Sequence, residues 1–515
     1  MTYRPILLLL AACTPDAPAP MVTRVDVEFA GEHCANGGLV LYEGHDLNGS
    51  DVLDDDEIER ATYQCAGDVP DDYQGVWLGD YLVRTQQDID ALAGRDTVTG
   101  DLILVGNGLD AATFPDIRVV GGVVRVGDGE QPTTFARVVL PNLAILNGGV
   151  ELRGNPLLTA VDLGPLQAAG EGAVLILHDD PLLVSISGVD TLRTVSAFQL
   201  SGDVHSFPLA DLQIEVAASF RVLGSFAGDL SLPPLRDVYG ELQLSPPPGE
   251  GTLAVALPAL AHAGNIEIRG GQRIVSARLP ALAVVDDAFI AHESPLLETL
   301  ALPLLRDVSG DLEVSSVGAL TELSLPALER VGGAVVLTYA TALTTFEVPL
   351  LTEVGGDVDV LFAASLEQLA FPGVEDFGGR LKLQDSGFLD IDLPVLRTVH
   401  GSLWVTRNNA LVHVNFGRLT SVGVWKTLQL AIEANPVLAQ IDLDVSRLDV
   451  DGAFVIRSNT VLPSVAAFAP LRTVTGNFDV ANNPLLDPCE VQALLDGLAS
   501  PVGGTTHTGT GVCGG

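Results

Sequence analysis

From about Leu140 onward the chain repeats one phrase: Leu-Pro-x-Leu, then Val, Gly and alternating apolar residues. It reads LPALAHAGNIEI, LPLLRDVSGDLEV, LPALERVGGAVVL, VPLLTEVGGDVDV, FPGVEDFGGRLKL and LPVLRTVHGSLWV. The prolines at 258, 280, 303, 326, 349, 372 and 394 stand 22 or 23 residues apart. A second phrase keeps the same time: GNPLL, DDPLL, ESPLL, ANPVL and NNPLL, around Pro156, Pro181, Pro295, Pro436 and Pro484. A unit of this length is too small to bury its own apolar face, so a fixed period means that units stack into a solenoid. Within each unit the apolar residues alternate over short stretches bounded by Gly, Asn or Pro, which is the pattern of strands and turns and not of long helices. In VGGAVVL, Val335 and Leu337 are expected to point inward and Ala334 and Val336 outward. Strands stacked about 4.8 Å apart would build long parallel sheets over a Leu/Val/Phe/Ala core. The prolines would sit at strand ends, where a missing N–H does least harm. The expected fold class is mainly β: a parallel β-solenoid of 22–25-residue turns.

Charge narrows the function classes. Of 515 residues, 66 are acidic and 26 basic, a net charge of −40, and only Lys382 and Lys426 are lysines. Such a chain repels nucleic acid and anionic membrane surfaces. Its mean hydropathy is nevertheless positive, +0.35, and no run approaches the roughly 20 apolar residues that span a bilayer, so the hydropathy belongs to a core.

The cadence G-x-L-x-V…N-P-x-L…L-P-x-L-x-x-V resembles the receptor L-domain branch of leucine-rich-repeat-like folds. That resemblance implies a right-handed β-solenoid of the kind found in receptor ectodomains and cell-surface proteins. It runs from about Tyr81 to the C-terminus. YLVRTQQDIDALAGRDTVTGDLIL resembles the family's helical cap, and NNPLLDPCEVQALLDGL reads as a last turn followed by an amphipathic helix. Caps are needed because an open solenoid end exposes unpaired backbone and core. Between Phe207 and Gly251 the cadence loosens, and SPPPGEG, Ser245 to Gly251, reads as a protruding loop.

The N-terminus has a different grammar. MTYRPILLLLAAC carries Arg4, an apolar run and small residues before Cys13, the layout of a secretory signal. Leu10-Ala11-Ala12-Cys13 resembles the bacterial lipobox, which implies lipidation of Cys13 and an exported, outer-membrane lipoprotein anchored by its lipid. The expected organisation is a signal peptide over 1–12, a tether over 13–22, an acidic module over 23–70, the solenoid over 71–488 and a C-terminal cap over 489–515. The remaining cysteines form two local pairs at opposite ends, Cys34 with Cys65 and Cys489 with Cys513, which suits two disulfides in an oxidising compartment. Between the first pair, GHDLNGSDVLDDDEIE fits a calcium loop: with Asp46 as position 1, the oxygen ligands are Asp46, Asn48, Ser50, the Val52 carbonyl, Asp54 and Glu57. Asp51 replaces the usual glycine at position 6, which weakens affinity more than it abolishes it. Strands are expected on either side of the loop, in GGLVLYEG and ATYQC, and the calcium would be structural.

No enzymatic constellation stands out. His-Glu-x-x-His, Gly-x-Ser-x-Gly, a Gly-Lys-Ser/Thr phosphate loop and Cys-x-x-Cys are all missing. His178 and His292 precede Pro-Leu-Leu and read as ordinary turn residues. Asp357/Asp359 and Asp390/Asp392 are same-face carboxylate pairs, which in a β-helical polysaccharide-active enzyme would carry hydrolysis. Turns of constant length leave little room for cleft walls, so these acids read as solvating groups. One outward row runs Glu241/Gln243, Asn265/Glu267, Ala288/Ile290, Asp311/Glu313, Ala334/Val336, Asp357/Asp359, Arg380/Lys382 and Ser402/Trp404. Arg380, Lys382, Trp404 and Arg407, with Trp425 and Lys426 beyond, gather aromatic and cationic groups as interaction hot spots do. The alternative is a cross-strand ladder of Asp357/Asp359 with Arg380/Lys382. The functional expectation is non-catalytic recognition or adhesion, toward a protein or glycan of the envelope. A polysaccharide-active enzyme and a passive envelope component are the alternatives.

Overall fold

The structure is a computed structural model that describes residues 21–28, 33–34, 38–45, 53–65, 72–73, 75–170, 172–226, 228–249, 251–423, 428–509 and 513. Strands make up 42% and helices 6% of it, and the strands form a parallel β-solenoid of about 17 turns. The expected fold class is therefore what the chain adopts.

One unit shows how the sequence makes a turn. Glu353–Val354 is a short strand on a narrow face; Gly355 and Gly356 turn a corner; Val358–Leu361 lies on a broad face; Gln368–Ala370 lies on a third face. The next strand, Asp376–Phe377, returns to the narrow face and pairs in parallel with the previous one. The corner needs glycine because stacked backbones meet there: a Cβ on Gly355 would lie 2.1 Å from the Gly332 carbonyl oxygen of the turn below. The proline phrase forms the opposite corner, between the third and narrow faces, with Pro349 and Pro372 exposed and Leu351 and Val374 buried behind them. Every broad-face strand contributes alternate residues to a continuous core. Val335 and Leu337 are buried and Ala334 and Val336 point out, as the alternation predicts.

The broad face is unbroken from Tyr81–Val83 to Thr506–Thr508, turn paired with turn. In the middle, Thr194–Ser201, Val216–Val222, Asp237–Leu244 and His262–Arg269 run continuously through the glycine corner and belong to both the broad and the narrow face. The third face is interrupted. Its strands do not pair between Ser185–Ser187 and Leu230–Ser231, between Thr299–Ala301 and Glu322–Ser324, or between Thr345–Glu347 and Gln368–Ala370. The first interruption falls where the repeat loosens, and a 3-10 turn, Leu209–Asp211, stands there instead.

Broad-face strands end in a corner that leaves the chain in the left-handed region at non-glycine residues, among them Glu293, Ser316, Tyr339, Phe362, Asp385 and Arg407. Such residues resist this conformation by about 1 kcal/mol each, and the stack of identical corners holds them there. The next residue is buried. In many turns it is polar: Asn155, Asp180, Ser294, Ser386, Asn408, Asn435, Asn459 and Asn483 form a ladder along the solenoid. Asn435 is typical. Its Nδ2 donates to the Val405 carbonyl at 2.9 Å, and its Oδ1 accepts from the Asn408 N–H at 3.0 Å.

Both ends are capped. Helix Gln86–Ala91 follows the strand Tyr81–Val83, with Asp88 closing a capping box on Thr85. At the other end helix Pro488–Asp496, capped by Asp487, covers the last turns and packs Val491 and Leu494 inward. The final strand Thr506–Thr508, beyond that helix, was not anticipated from the sequence. The acidic module is a separate antiparallel sheet of Met21–Glu28, Gly38–His45 and Ile58–Cys65. The two strands flanking the acidic loop stand where expected, and the first strand begins inside the stretch read as tether.

Candidate functional site

The broad face carries the predicted patch, and its register is explicit. Glu267, Ile290, Glu313, Val336, Asp359, Lys382, Trp404 and Ala431 are consecutive partners along one outward row. Arg380 is engaged by two aspartates. Its Nε and Nη2 clamp the Asp359 carboxylate at 2.9 and 2.6 Å, and its Nη1 lies 3.3 Å from Asp357. That grip, the Asp359 hydrogen bond first, holds the guanidinium above its ordinary pKa. Arg407 is similarly bound to Asp385, at 2.9 and 2.7 Å, which pulls the Asp385 carboxyl below the usual aspartate range. Lys382 is different. Among the described residues it has no ion pair, and its ammonium lies 5.6 Å from the centre of the Trp404 ring. The half-buried Trp404 has an indole N–H without an acceptor among those residues. Trp425 and Lys426 lie outside the described residues. The predicted cross-strand ladder is thus present for Arg380, while Lys382 has no ion pair among the described residues and lies by Trp404, its charge also acting on Asp385.

Of the carboxylate pairs only Asp359 is buried; Asp357, Asp390 and Asp392 stay partly exposed to solvent and at the same time bind groups of the next turn. Asp359 is only 8% exposed under Arg380. Asp357 accepts the Arg380 N–H at 2.7 Å, one of several corner carboxylates that hold the next turn's backbone; Asp311 does the same for Ala334. On the third face Asp390 and Asp392 bind His413 and Asn415 of the following turn. His413 also reaches Asp442 at 2.9 Å, so one imidazole ties three successive turns. Burial opposes its protonation, but the two aspartates outweigh burial and raise its pKa. His178 and His292 are the last residues of broad-face strands and not turn residues, with His292 bonded to Glu267 at 3.0 Å.

Of the expected calcium ligands, Asp46, Asn48, Ser50 and Val52 lie outside the described residues, as do Asp51 and the lipobox with Cys13. Asp54 and Glu57 are described. They bracket the 3-10 turn Asp55–Glu57, where the buried Glu57 carboxylate accepts the Asp54 N–H at 3.2 Å. Cys34 is bonded to Cys65, and Cys489 to Cys513. Among the described residues no group of three or more His, Cys, Asp or Glu is arranged to hold a metal, and no helix is long and apolar enough to cross a membrane.

Sequence reasoning missed the buried asparagine ladder. Its signal was present in the recurring Asn, Asp or Ser before Pro-x-Leu. It also missed Arg273, a buried guanidinium in the corner turn before Ile274–Arg278.

Comparison with known proteins finds one family, described as a domain of unknown function (DUF7151), whose model matches residues 22–65. The match coincides with the three-stranded module and ends on Cys65. No curated protein and no solved structure matches the chain.

Proposed function

We propose that this chain is a lipid-anchored protein of the cell envelope that recognises or adheres to a ligand through the broad face of its solenoid, without catalysis. The observation that carries this reading is the pairing of Lys382 and Trp404. Beside cations clamped by aspartates, one ammonium without an ion pair among the described residues and one aromatic ring share a rung of a rigid sheet, with the Asp385 carboxylate within electrostatic reach of the ammonium. An aromatic plane next to a cation without an ion pair suits the face of a sugar ring or a complementary protein patch. Cys13 would carry the lipid, and the two disulfides suit an oxidising, exported setting. Calcium, held by Asp46, Asn48, Ser50, Val52, Asp54 and Glu57, would brace the module near the anchor.

The test is capture of envelope glycans and proteins by the chain carrying Cys13→Ser. Adding Lys382→Ala and Trp404→Ala should lower capture about tenfold or more while leaving the melting temperature in place; equal capture would overturn the reading. The metal is tested separately. Calcium should raise the melting temperature of the native chain and not that of Glu57→Gln.

A further inference from the structure

We propose that Arg273 is the floor of an oxyanion-binding site at the corner between the broad and third faces. Its residue is 6% exposed, yet among the described residues no side chain or carbonyl accepts a hydrogen bond from its guanidinium, and Nε is fully enclosed without a partner. The Arg273 N–H closes the corner turn on the Gly270 carbonyl. In other turns the residue making this bond is a buried leucine, as Leu297, Leu320 and Leu343 are. A cation therefore stands where the repeat places a core side chain. Arginine cannot shed its proton to relieve the burial, and with Nε enclosed the charge can reach solvent only through the guanidinium tip. A counter-charge at that tip would offset the burial, and the described residues do not supply one.

The preceding turn shapes the site. The loop that interrupts the repeat, opening with Ser245, passes over this corner, and its Gly249 lies against the guanidinium: a Cβ there would sit 3.9 Å from Nε and 3.8 Å from Nη1. A planar guanidinium under a glycine loop offers forked N–H donors to a single oxyanionic group, which is the geometry that carboxylates, sulfates and phosphates share. The ligand class is thus a small oxyanion or an oxyanionic substituent on a saccharide. This site is distinct from the Lys382 and Trp404 rung and stands independently of it.

Titration calorimetry and melting curves with sodium sulfate and with sodium galacturonate distinguish the inorganic from the sugar-borne group. The native chain should bind one of them, and Arg273→Met should weaken that binding at least about tenfold. A second variant covers the case in which Arg273→Met does not fold. Gly249→Asp brings a carboxylate to the guanidinium, so it should raise the melting temperature in anion-free buffer and lose the response to added anion. The proposal is overturned if neither probe binds the native chain, or if Arg273→Met binds as well as the native chain does. It is also overturned if Glu250→Gln lowers the melting temperature as far as Arg273→Met with no anion response in either, since the loop's own carboxylate would then be the partner.

Discussion

Asn435 does for this fold what a backbone cannot do for itself. At the corner the chain leaves the broad sheet, so the Val405 carbonyl and the Asn408 N–H face a dry interior, and the Asn435 amide satisfies both. Asn435→Ala should cost about 2–4 kcal/mol, because it strands one buried acceptor and one buried donor; a melting temperature within a degree of the native value would refute the ladder. Asp180 occupies the same rung with a group of the wrong charge. It accepts from the Asn155 N–H and Nδ2, but burial outweighs these donors and pushes its carboxyl up to about 6. A carboxyl raised in the folded state binds its proton more tightly there than when unfolded, so stability is lost as pH rises from about 4 through 6. By pH 7 that loss is on the order of 3 kcal/mol. Asp180→Asn should therefore melt higher than the native chain at pH 7, with the gap closing toward pH 4. Parallel pH profiles for the two would count against it.

At the scale of elements, two of the three breaks in the third face border turns without a ladder amide, although Glu322–Ser324 and Thr345–Glu347 still pair within that stretch. Val317, Ala340 and Ala363 hold the ladder position in three successive turns, and no side-chain amide there can reach the turn below. The breaks between Thr299–Ala301 and Glu322–Ser324 and between Thr345–Glu347 and Gln368–Ala370 fall within this stretch. Elsewhere the third face is tied by bonds such as Leu279 N–H to Ala301 and Leu325 N–H to Glu347; Leu302 and Val348 have no such acceptor among the described residues. At the first break the faces part into a groove of about 370 Å³ lined by Glu298, Thr299, Glu322 and Ser324. Hydrogen exchange checks this directly. The amides of Leu302, Thr321 and Val348 should exchange at least about tenfold faster than those of Leu279 and Leu325. Uniform protection along the third face would contradict the account.

For the whole molecule, stability is a sum over turns and their interfaces, and the ends matter most because a terminal turn has one neighbour. The C-terminal end combines helix Pro488–Asp496, the strand Thr506–Thr508 and the Cys489–Cys513 bond. Opening a loop of 24 residues in separation releases about 3 kcal/mol of chain entropy in the unfolded state. Cys489→Ser with Cys513→Ser should make the last turns protease-sensitive and add an early phase to thermal unfolding, with the centre of the solenoid unaffected. A single transition shifted as a whole would mean that the solenoid unfolds as one unit.

The sequence by itself determined the repeat, and with it the solenoid, the inward and outward sides of each strand, both disulfide pairs and the strands flanking the acidic loop. These follow from spacing along the chain, since repeats of 22 or 23 residues must stack to bury their core and apolar alternation between turn residues makes their segments strands. Only the tertiary structure decided what the polar residues do. Asp357 and Asp359 looked solvated because alternation places them outward, yet Arg380, 21 residues beyond Asp359, covers the latter. The asparagines of NPLL looked like turn formers, and stacking made them buried ladder rungs. Arg273 drew no notice in the sequence, and stacking brought Gly249 of the previous turn against its guanidinium. Each outcome depends on which side chain of one turn reaches the next, and that distance does not exist until the turns are stacked.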